Sequence, residues 1–128
     1  MTRHEAREVA MQFLFSYEFH NGTEDHCTRE ALQAEDEYAS FLINTVIDHI
    51  EAIDERIARY SLKWTLDQIS KIDKTILRIA FCEMLYSKEK IDAPIIINEA
   101  IELAKAYSTD GSYRFINGVL NGYTKDNE

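Results

Sequence analysis

Two arginines and a histidine near the amino terminus form the pattern in this sequence that is best suited to ligand binding. Arg3 and Arg7 are four residues apart and therefore project from one side of a helix, with His4 beside them. Phe15 and Tyr17 follow on the same segment. Guanidinium groups near aromatic faces suit single-stranded RNA, because its phosphates and its unstacked bases are both accessible. The same spacing also fits two solubilising surface arginines, and the residues alone leave both interpretations open.

Glu83 is also a candidate functional residue, because it interrupts the most apolar segment of the chain. Cys82 and Met84 flank it, and most residues nearby favour burial. A carboxylate in such surroundings must be paired with a cation or lie exposed at a contact surface. Arg78 or Lys105 could supply an internal cation, and a protein partner could supply the contact surface. The sequence by itself does not choose between them.

No pattern in the sequence predicts catalysis or a resident metal. Residues 4–8 resemble the start of a zinc-protease motif, but Glu8 stands where the second histidine is needed. Phosphate-binding loops, dinucleotide-binding glycine patterns, nucleophile elbows and paired-cysteine zinc spacings are absent. We therefore expect a protein with no catalytic residues, no metal ligands and no cofactor.

Net charge and composition restrict the binding partners and the cellular compartment that we expect. The 128-residue chain carries 14 basic and 23 acidic residues, a net charge of −9, which argues against a protein that coats nucleic acid generally. Residues 21–60 hold 3 of these basic and 10 of these acidic residues, which leaves room for a basic patch elsewhere. No uncharged apolar stretch approaches the ~18 residues of a membrane span, and the first twenty residues lack a signal-peptide core. We expect a cytoplasmic protein in which Cys27 and Cys82 are free thiols.

Helical periodicity covers almost the whole chain, whereas the alternation typical of strands is almost absent. Capping patterns at Thr2-x-x-Glu5 and Ser70-x-x-Asp73 open two of the helices. The predicted helices are Thr2 to about Asn21, one turn at Thr28–Leu32, Asp36–Tyr60, Ser70–Tyr86, Asp92–Ala104 and Ser112–Leu120. This pattern predicts a compact all-α protein.

Several positions in this pattern carry structural expectations. Residues 70–86 are apolar nearly all round, which is typical of a central helix. His49 lies on an apolar stripe, which predicts a core or boundary histidine with satisfied hydrogen bonds. Trp64 lies between two predicted helices, where we expect its side chain to fill a gap in the core. Gly118 lies inside the last helix, where glycine costs about 1 kcal/mol relative to alanine, so we expect a neighbouring helix to approach it closely.

Four segments together resemble the NusB family of bacterial transcription antitermination factors. They are Ala6–Phe15, Ile76–Leu85, Ile97–Lys105 and Arg114–Leu120. Each alone is weak evidence, but the four keep the family's order and spacing across nearly the whole chain. The resemblance implies an all-α fold of about seven helices, arranged as two small helical bundles in a single domain over residues 1–128, without enzymatic activity.

The resemblance also implies partners and the residues that contact them. NusB-like proteins pair with NusE, a small-subunit ribosomal protein, and bind the boxA element of nascent ribosomal RNA transcripts. That complex acts with other Nus factors on RNA polymerase and suppresses premature termination. By position, the implied RNA contacts are Arg3, His4, Arg7 and Asn121, and the implied NusE contacts are Phe15 and Glu83. Asn121 stands where the family commonly has Asp, which removes one repulsive charge near phosphate.

Two other functions fit the same residues. One is an adaptor that binds NusE or self-associates as a homodimer without appreciable RNA binding of its own, which the net charge of −9 favours. The other is an RNA-modifying enzyme, because a NusB-like domain also precedes a methyltransferase domain in some enzymes. That function needs a nucleotide-binding half that these 128 residues do not include.

Overall fold

The computed structural model describes residues 1–19 and 36–128. Its helices are α1 (Arg3–Phe19), α2 (Glu37–Asp48), α3 (Ile50–Tyr60), α4 (Lys71–Tyr86), α5 (Ala93–Tyr107) and α6 (Ser112–Asp126). These ranges contain no strand, which confirms the all-α prediction. In the same ranges no helix is long and apolar enough to cross a membrane. The turn expected at Thr28–Leu32 and the thiol of Cys27 lie outside the described residues.

Helix α4 forms the centre of the molecule. It packs against each of the other five helices, and Ile76, Leu77 and Phe81 are fully buried along it. Helices α1 and α2 contact each other and α4, while α5 and α6 contact each other and α4, so the two small bundles share this helix. The nearly continuous apolar surface of residues 70–86 lets one helix serve both bundles, as predicted.

The predicted capping patterns fix where two helices begin. At α1 the Glu5 amide donates to the Thr2 hydroxyl and the Thr2 amide donates to the Glu5 carboxylate, both at 3.0 Å, which confirms the capping box. At α4 the Asp73 amide donates to the Ser70 hydroxyl at 3.2 Å. The Asp73 carboxylate accepts instead from the Ser108 hydroxyl at 2.6 Å, so this cap also ties the start of α4 to the end of α5.

The single helix predicted over Asp36–Tyr60 is in fact two helices joined at His49. His49 adopts φ −121° and ψ 25°, outside helical values, although its amide still donates to the Thr45 carbonyl at 3.0 Å. The break lets the two halves of one apolar stripe face different neighbours, because α2 packs against α1 and α3 packs against α6. His49 is exposed and stacks on the Tyr86 ring with centroids 4.3 Å apart, which is a boundary position.

The sequence predicts that Trp64 fills a gap in the core, and this prediction is wrong. Trp64 is 52% exposed, whereas Ile69 is 6% exposed and joins the core beneath this connection. The cause is local, because the Trp64 amide donates to the Ser61 carbonyl at 3.2 Å. That bond closes a tight turn after α3 and leaves the indole outside it.

Helix α6 runs further than predicted, to Asp126 rather than to about Leu120. The added residues include Asn121 and glycine, which have weak helical propensity, so the sequence pattern fades there. Tyr123 compensates by packing edge-on against the Phe81 ring, with centroids 5.2 Å apart. The core contact therefore holds a turn that local preference would not.

The close helix approach expected at Gly118 occurs one turn later. An added Cβ at Gly118 would meet no atom within 4 Å, whereas at Gly122 it would lie 3.5 Å from the Tyr60 ring. Gly118 is exposed, so the surface over this part of α6 is open. The expectation was wrong because the chain after α3 turns outward instead of packing down onto this glycine.

Candidate functional site

Arg7 and Glu83 form a buried ion pair between α1 and α4. Arg7 Nε donates to Glu83 Oε1 and Arg7 Nη2 donates to Oε2, both at 2.9 Å, and the residues are 4% and 3% exposed. The predicted RNA contact by Arg7 and NusE contact by Glu83 both require accessible side chains, and the structure corrects that expectation. The internal cation for Glu83 is neither Arg78 nor Lys105. Helix packing brings Arg7 to it instead, because a buried carboxylate without a cation is strongly destabilising.

Tyr38 and Arg3 extend this ion pair to the surface. The Tyr38 hydroxyl donates to Glu83, and the Arg3 guanidinium lies 3.8 Å from the Tyr38 ring centroid, within cation–π range. Burial and the hydrogen bond to Glu83 raise the pKa of Tyr38, so the phenol keeps its proton as the donor. The Arg3 side chain is 46% exposed and also contacts Glu89 at 3.5 Å.

His4 lies between two carboxylates. Its Nδ1 is 3.1 Å from Glu99 and its Nε2 is 3.4 Å from Glu8, and Glu99 also lies 3.6 Å from the Arg7 guanidinium. The hydrogen bond to Glu99 raises the pKa of His4 above its usual value and outweighs the opposing effect of burial. Because the side chain is 48% exposed, a protonated His4 presents its charge to solvent.

These side chains together form what we term the amino-terminal ion cluster. Its members are Arg3, His4, Arg7, Tyr38, Glu83 and Glu99. Each cation in it has a carboxylate neighbour, so the cluster carries little net charge. Its accessible cations are Arg3 and His4, which can meet a phosphate, whereas Arg7 holds the helices beneath them.

A second buried ion network joins α1, α3 and α4 further along α1. Arg78 donates to both carboxylate oxygens of Asp54 at 2.8 Å and to Glu18 at 2.9 Å. Lys74 Nζ lies 2.8 Å from the same Glu18. Arg78 is therefore engaged in holding three helices together, which explains why it is not the cation that neutralises Glu83.

Phe15 and Asn121 lie apart from the amino-terminal ion cluster. Phe15 is half-buried on α1, with its ring centroid 6.3 Å from that of Phe19. Asn121 is exposed on α6, where its side-chain amide donates to the Asn117 carbonyl at 3.0 Å and to the Asn117 side chain at 2.7 Å. Both remain accessible to a ligand, and the structure does not place them in one continuous pocket with the cluster.

Tyr38 and Glu99 belong to the cluster, although neither is among the RNA or NusE contacts predicted from the sequence. Tyr38 resembles any other aromatic residue on an apolar stripe, and nothing in its spacing indicates a bond to Glu83. Glu99 did carry a signal, because it lies between the buried residues Ile97 and Ala100. A carboxylate in that position needs a cation, by the same argument that applies to Glu83.

Metal and thiol chemistry find no support in the residues that the structure describes. Those residues hold no group of three or more His, Cys, Asp or Glu side chains that could bind a metal ion. Cys82 is a free, buried thiol, and burial raises its pKa to about 12. A thiol of that kind stays protonated and unreactive near neutral pH.

Fold and cluster together define a small all-helical protein with Arg3 and His4 exposed on the first turn of α1. The NusB family model matches residues 4–125. The chain belongs to the NusB family. The transcription antitermination protein NusB of Thermodesulfovibrio yellowstonii is 38% identical to it over an alignment of 142 positions that covers 98% of this chain and 93% of the relative.

Solved structures give the same result for the fold. The structure of T. maritima NusB has a TM-score of 0.84 and 32% identity, covering 98% of this chain and 92% of its own. A NusB solved with NusE and double-stranded RNA has a TM-score of 0.81 and 25% identity, covering 98% of this chain and 99% of its own. Both likenesses extend over nearly the whole chain, so the two-bundle fold is that of the family.

Proposed function

We propose that this protein is a transcription antitermination factor that binds boxA RNA of nascent ribosomal RNA transcripts together with NusE. It acts in the cytoplasm as a single domain over residues 1–128, without enzymatic activity, and meets other Nus factors and RNA polymerase through that complex. Family membership supports this role, because relatives carry the name transcription antitermination protein NusB. A related NusB has been solved with NusE and double-stranded RNA.

The observation that carries the RNA part of the proposal is the exposure of Arg3 and His4 on the first turn of α1. Arg3 lies over the Tyr38 ring and keeps its guanidinium accessible to a phosphate or to a base. Arg7 and Glu83 act as positioning residues, since their buried pair fixes the Tyr38 hydroxyl on which this arrangement rests.

The NusE part of the proposal rests on Phe15, which is half-buried on α1 and therefore offers an apolar edge to a partner. Glu83 is buried and does not contact a partner itself, but its carboxylate accepts from Arg7 and so holds α1, the helix that carries Phe15, in place. On α6, Asn121 is exposed and adds a neutral hydrogen-bonding group to the RNA surface.

One observation favours the adaptor without RNA binding as a second candidate. Each cation of the amino-terminal ion cluster has a carboxylate within 3.5 Å, and the whole chain carries a net charge of −9. Such a surface attracts phosphate weakly at physiological salt. In that case the protein would capture NusE or a second copy of itself and contribute no RNA affinity.

Fluorescence anisotropy with labelled boxA RNA and a base-shuffled control, with and without NusE, tests the proposal. We expect boxA to bind more tightly than the control, and Arg3→Glu to weaken it and flatten the log–log salt slope by about 0.7 per lost contact. Arg59→Glu is the matched control, because Arg59 is an exposed arginine paired with Glu55 on α3. Capture of NusE without any preference for boxA over the control would overturn the RNA function and leave the adaptor.

A further inference from the structure

The connection between α3 and α4 contains a tightly fixed turn. The Trp64 amide donates to the Ser61 carbonyl at 3.2 Å, and the Ser61 hydroxyl donates back to the Trp64 carbonyl at 2.8 Å. Ser61 itself is buried. Two hydrogen bonds between the same two residues hold the ends of the turn together, so the residues at its tip cannot fold back into the core.

The turn combines a strained backbone with exposed apolar side chains. Leu62 has a φ of 52°, in the left-handed region that leucine rarely adopts, and it is 89% exposed. Trp64 is 52% exposed. Backbone strain of this kind clusters at functional positions, so an exposed apolar turn with a strained backbone marks a candidate binding surface.

A depression of about 250 Å³ lies beside this turn, between it and α6. Its lining includes Lys63, Trp64, Arg114, Phe115 and Gly118, which we term the Trp64 surface. An added Cβ at Gly118 would meet no atom within 4 Å, so the helix backbone is accessible from the depression. A flat ring can therefore approach both the indole and the α6 backbone.

Positive charge borders this depression. Lys63 and Arg114 are exposed, and no acidic residue of the described part of the chain lines the depression. Of the arginines within residues 1–19 and 36–128, Arg114 is the one whose guanidinium forms no ion pair. In a chain of net charge −9, such a site favours an anionic ligand over a cationic one.

We propose that the Trp64 surface binds a segment of single-stranded RNA, with one base stacked on the Trp64 indole and the flanking phosphates at Lys63 and Arg114. An exposed aromatic face beside cations that no described carboxylate neutralises is what sequence-tolerant binding of unstacked nucleotides requires. Arg114 also contacts the Tyr113 ring, with 5.4 Å between the guanidinium and the ring centroid. The inference rests on the proposed function, because the same RNA would occupy both surfaces.

The Trp64 surface is continuous with a position already proposed for RNA. Arg114, Gly118 and Asn121 are spaced by four and three residues on α6, so they share one face of the helix. A strand that stacks on Trp64 and follows this face reaches Asn121. An acidic protein segment could also meet the two cations, and loss of NusE capture at unchanged RNA affinity would reveal it.

Trp64 is the one tryptophan of the chain, so its fluorescence reports directly on the surface. We expect single-stranded boxA RNA to quench that emission, with a midpoint that matches the Kd from the anisotropy of labelled RNA. We expect Trp64→Ala to weaken binding about tenfold, the loss that removal of one stacked base brings. Ile95→Ala is the matched control, because Ile95 is equally exposed at 52% and lies on α5.

The cations and the depression are tested by separate variants. Lys63→Gln with Arg114→Gln should flatten the log–log salt slope by about 1.4, or about 0.7 for each phosphate contact. Arg56→Gln with Arg59→Gln removes the same number of charges, but from cations paired with Glu55, and should leave the slope unchanged.

Gly118→Leu should fill the depression and weaken RNA binding while it leaves the melting temperature unchanged or higher. The added side chain meets open space, and replacing a helical glycine favours the helix.

The outcomes distinguish this inference from the proposed function. Wild-type binding to boxA RNA without quenching, together with wild-type affinity of Trp64→Ala, overturns the Trp64 surface alone. Loss of NusE capture by Trp64→Ala at unchanged RNA affinity also overturns it, and assigns the surface to a protein. Failure of the wild-type protein to bind boxA RNA with or without NusE overturns both.

Discussion

Arg7 and Arg114 differ in what surrounds the guanidinium group. Arg7 is 4% exposed and donates two hydrogen bonds to Glu83, whereas Arg114 is exposed and meets no carboxylate in the described part of the chain. The aromatic residues beside them differ in the same way. Tyr38 is partly buried, with its hydroxyl bound, and Trp64 lies open on a turn.

The amino-terminal ion cluster and the Trp64 surface differ in solvent accessibility. This difference decides whether a cation beside an aromatic ring stabilises the fold or is available to a ligand. In the cluster the buried charges must be neutralised internally, because removing an ion from water costs several kcal/mol unless a partner compensates. On the Trp64 surface the cations stay hydrated and can exchange their counterions for phosphate. The first arrangement stabilises the fold, and the second is available to a ligand.

Reversing the charge of Glu83 should have the largest effect on the stability of the amino-terminal ion cluster. Glu83→Lys places a second cation against Arg7, so we expect the free energy of unfolding to fall by about 3–5 kcal/mol. Chemical denaturation followed by circular dichroism measures this change. Glu89→Lys is the control, because Glu89 is 80% exposed and surface changes stay within about 0.5 kcal/mol. A Glu83→Lys protein of wild-type stability would contradict the buried pair.

A smaller effect is expected from the hydroxyl of Tyr38. Tyr38→Phe keeps the ring under Arg3 but removes the donor to Glu83, and a hydrogen bond to a charged group contributes about 1.5–3 kcal/mol. Tyr107→Phe removes a comparable donor to Glu8 at a site that is 41% exposed, and should cost less. Equal losses in the two variants would show that burial does not set the strength of the cluster.

Local sequence patterns predict the helices well and the burial of charge poorly, for physical reasons. Periodicity and capping report on local geometry, which is why Thr2 and Ser70 were identified as helix caps. The pair Arg7–Glu83 joins residues 76 positions apart, and no local pattern encodes such a meeting. Trp64 was misassigned because aromatic residues usually favour the core, and a turn closed by Ser61 overrides that preference.

Asn121→Asp tests whether the exposed face of α6 meets RNA. A carboxylate there would repel phosphate, and surface charges contribute about 0.2–1 kcal/mol, so we expect a loss of RNA affinity of about 1.4- to 5-fold at low salt. The variant also loses the amide donor to Asn117, but at an exposed position. We therefore expect the melting temperature to change little, and a large fall would identify Asn121 as a structural cap instead.

The smallest effect is expected from the protonation of His4. Its raised pKa, caused chiefly by the hydrogen bond to Glu99, means that the charged form persists to higher pH than the usual 6.5. RNA affinity should therefore rise as the pH falls through the raised pKa, and level off below it. We expect this gain in RNA affinity to be smaller than the loss caused by Asn121→Asp, because Glu99 cancels part of the positive charge on protonated His4. His4→Gln should abolish the pH dependence, and Glu99→Gln should move its midpoint to lower pH. The same titration in His4→Gln as in the wild-type protein would assign the pH dependence to another group.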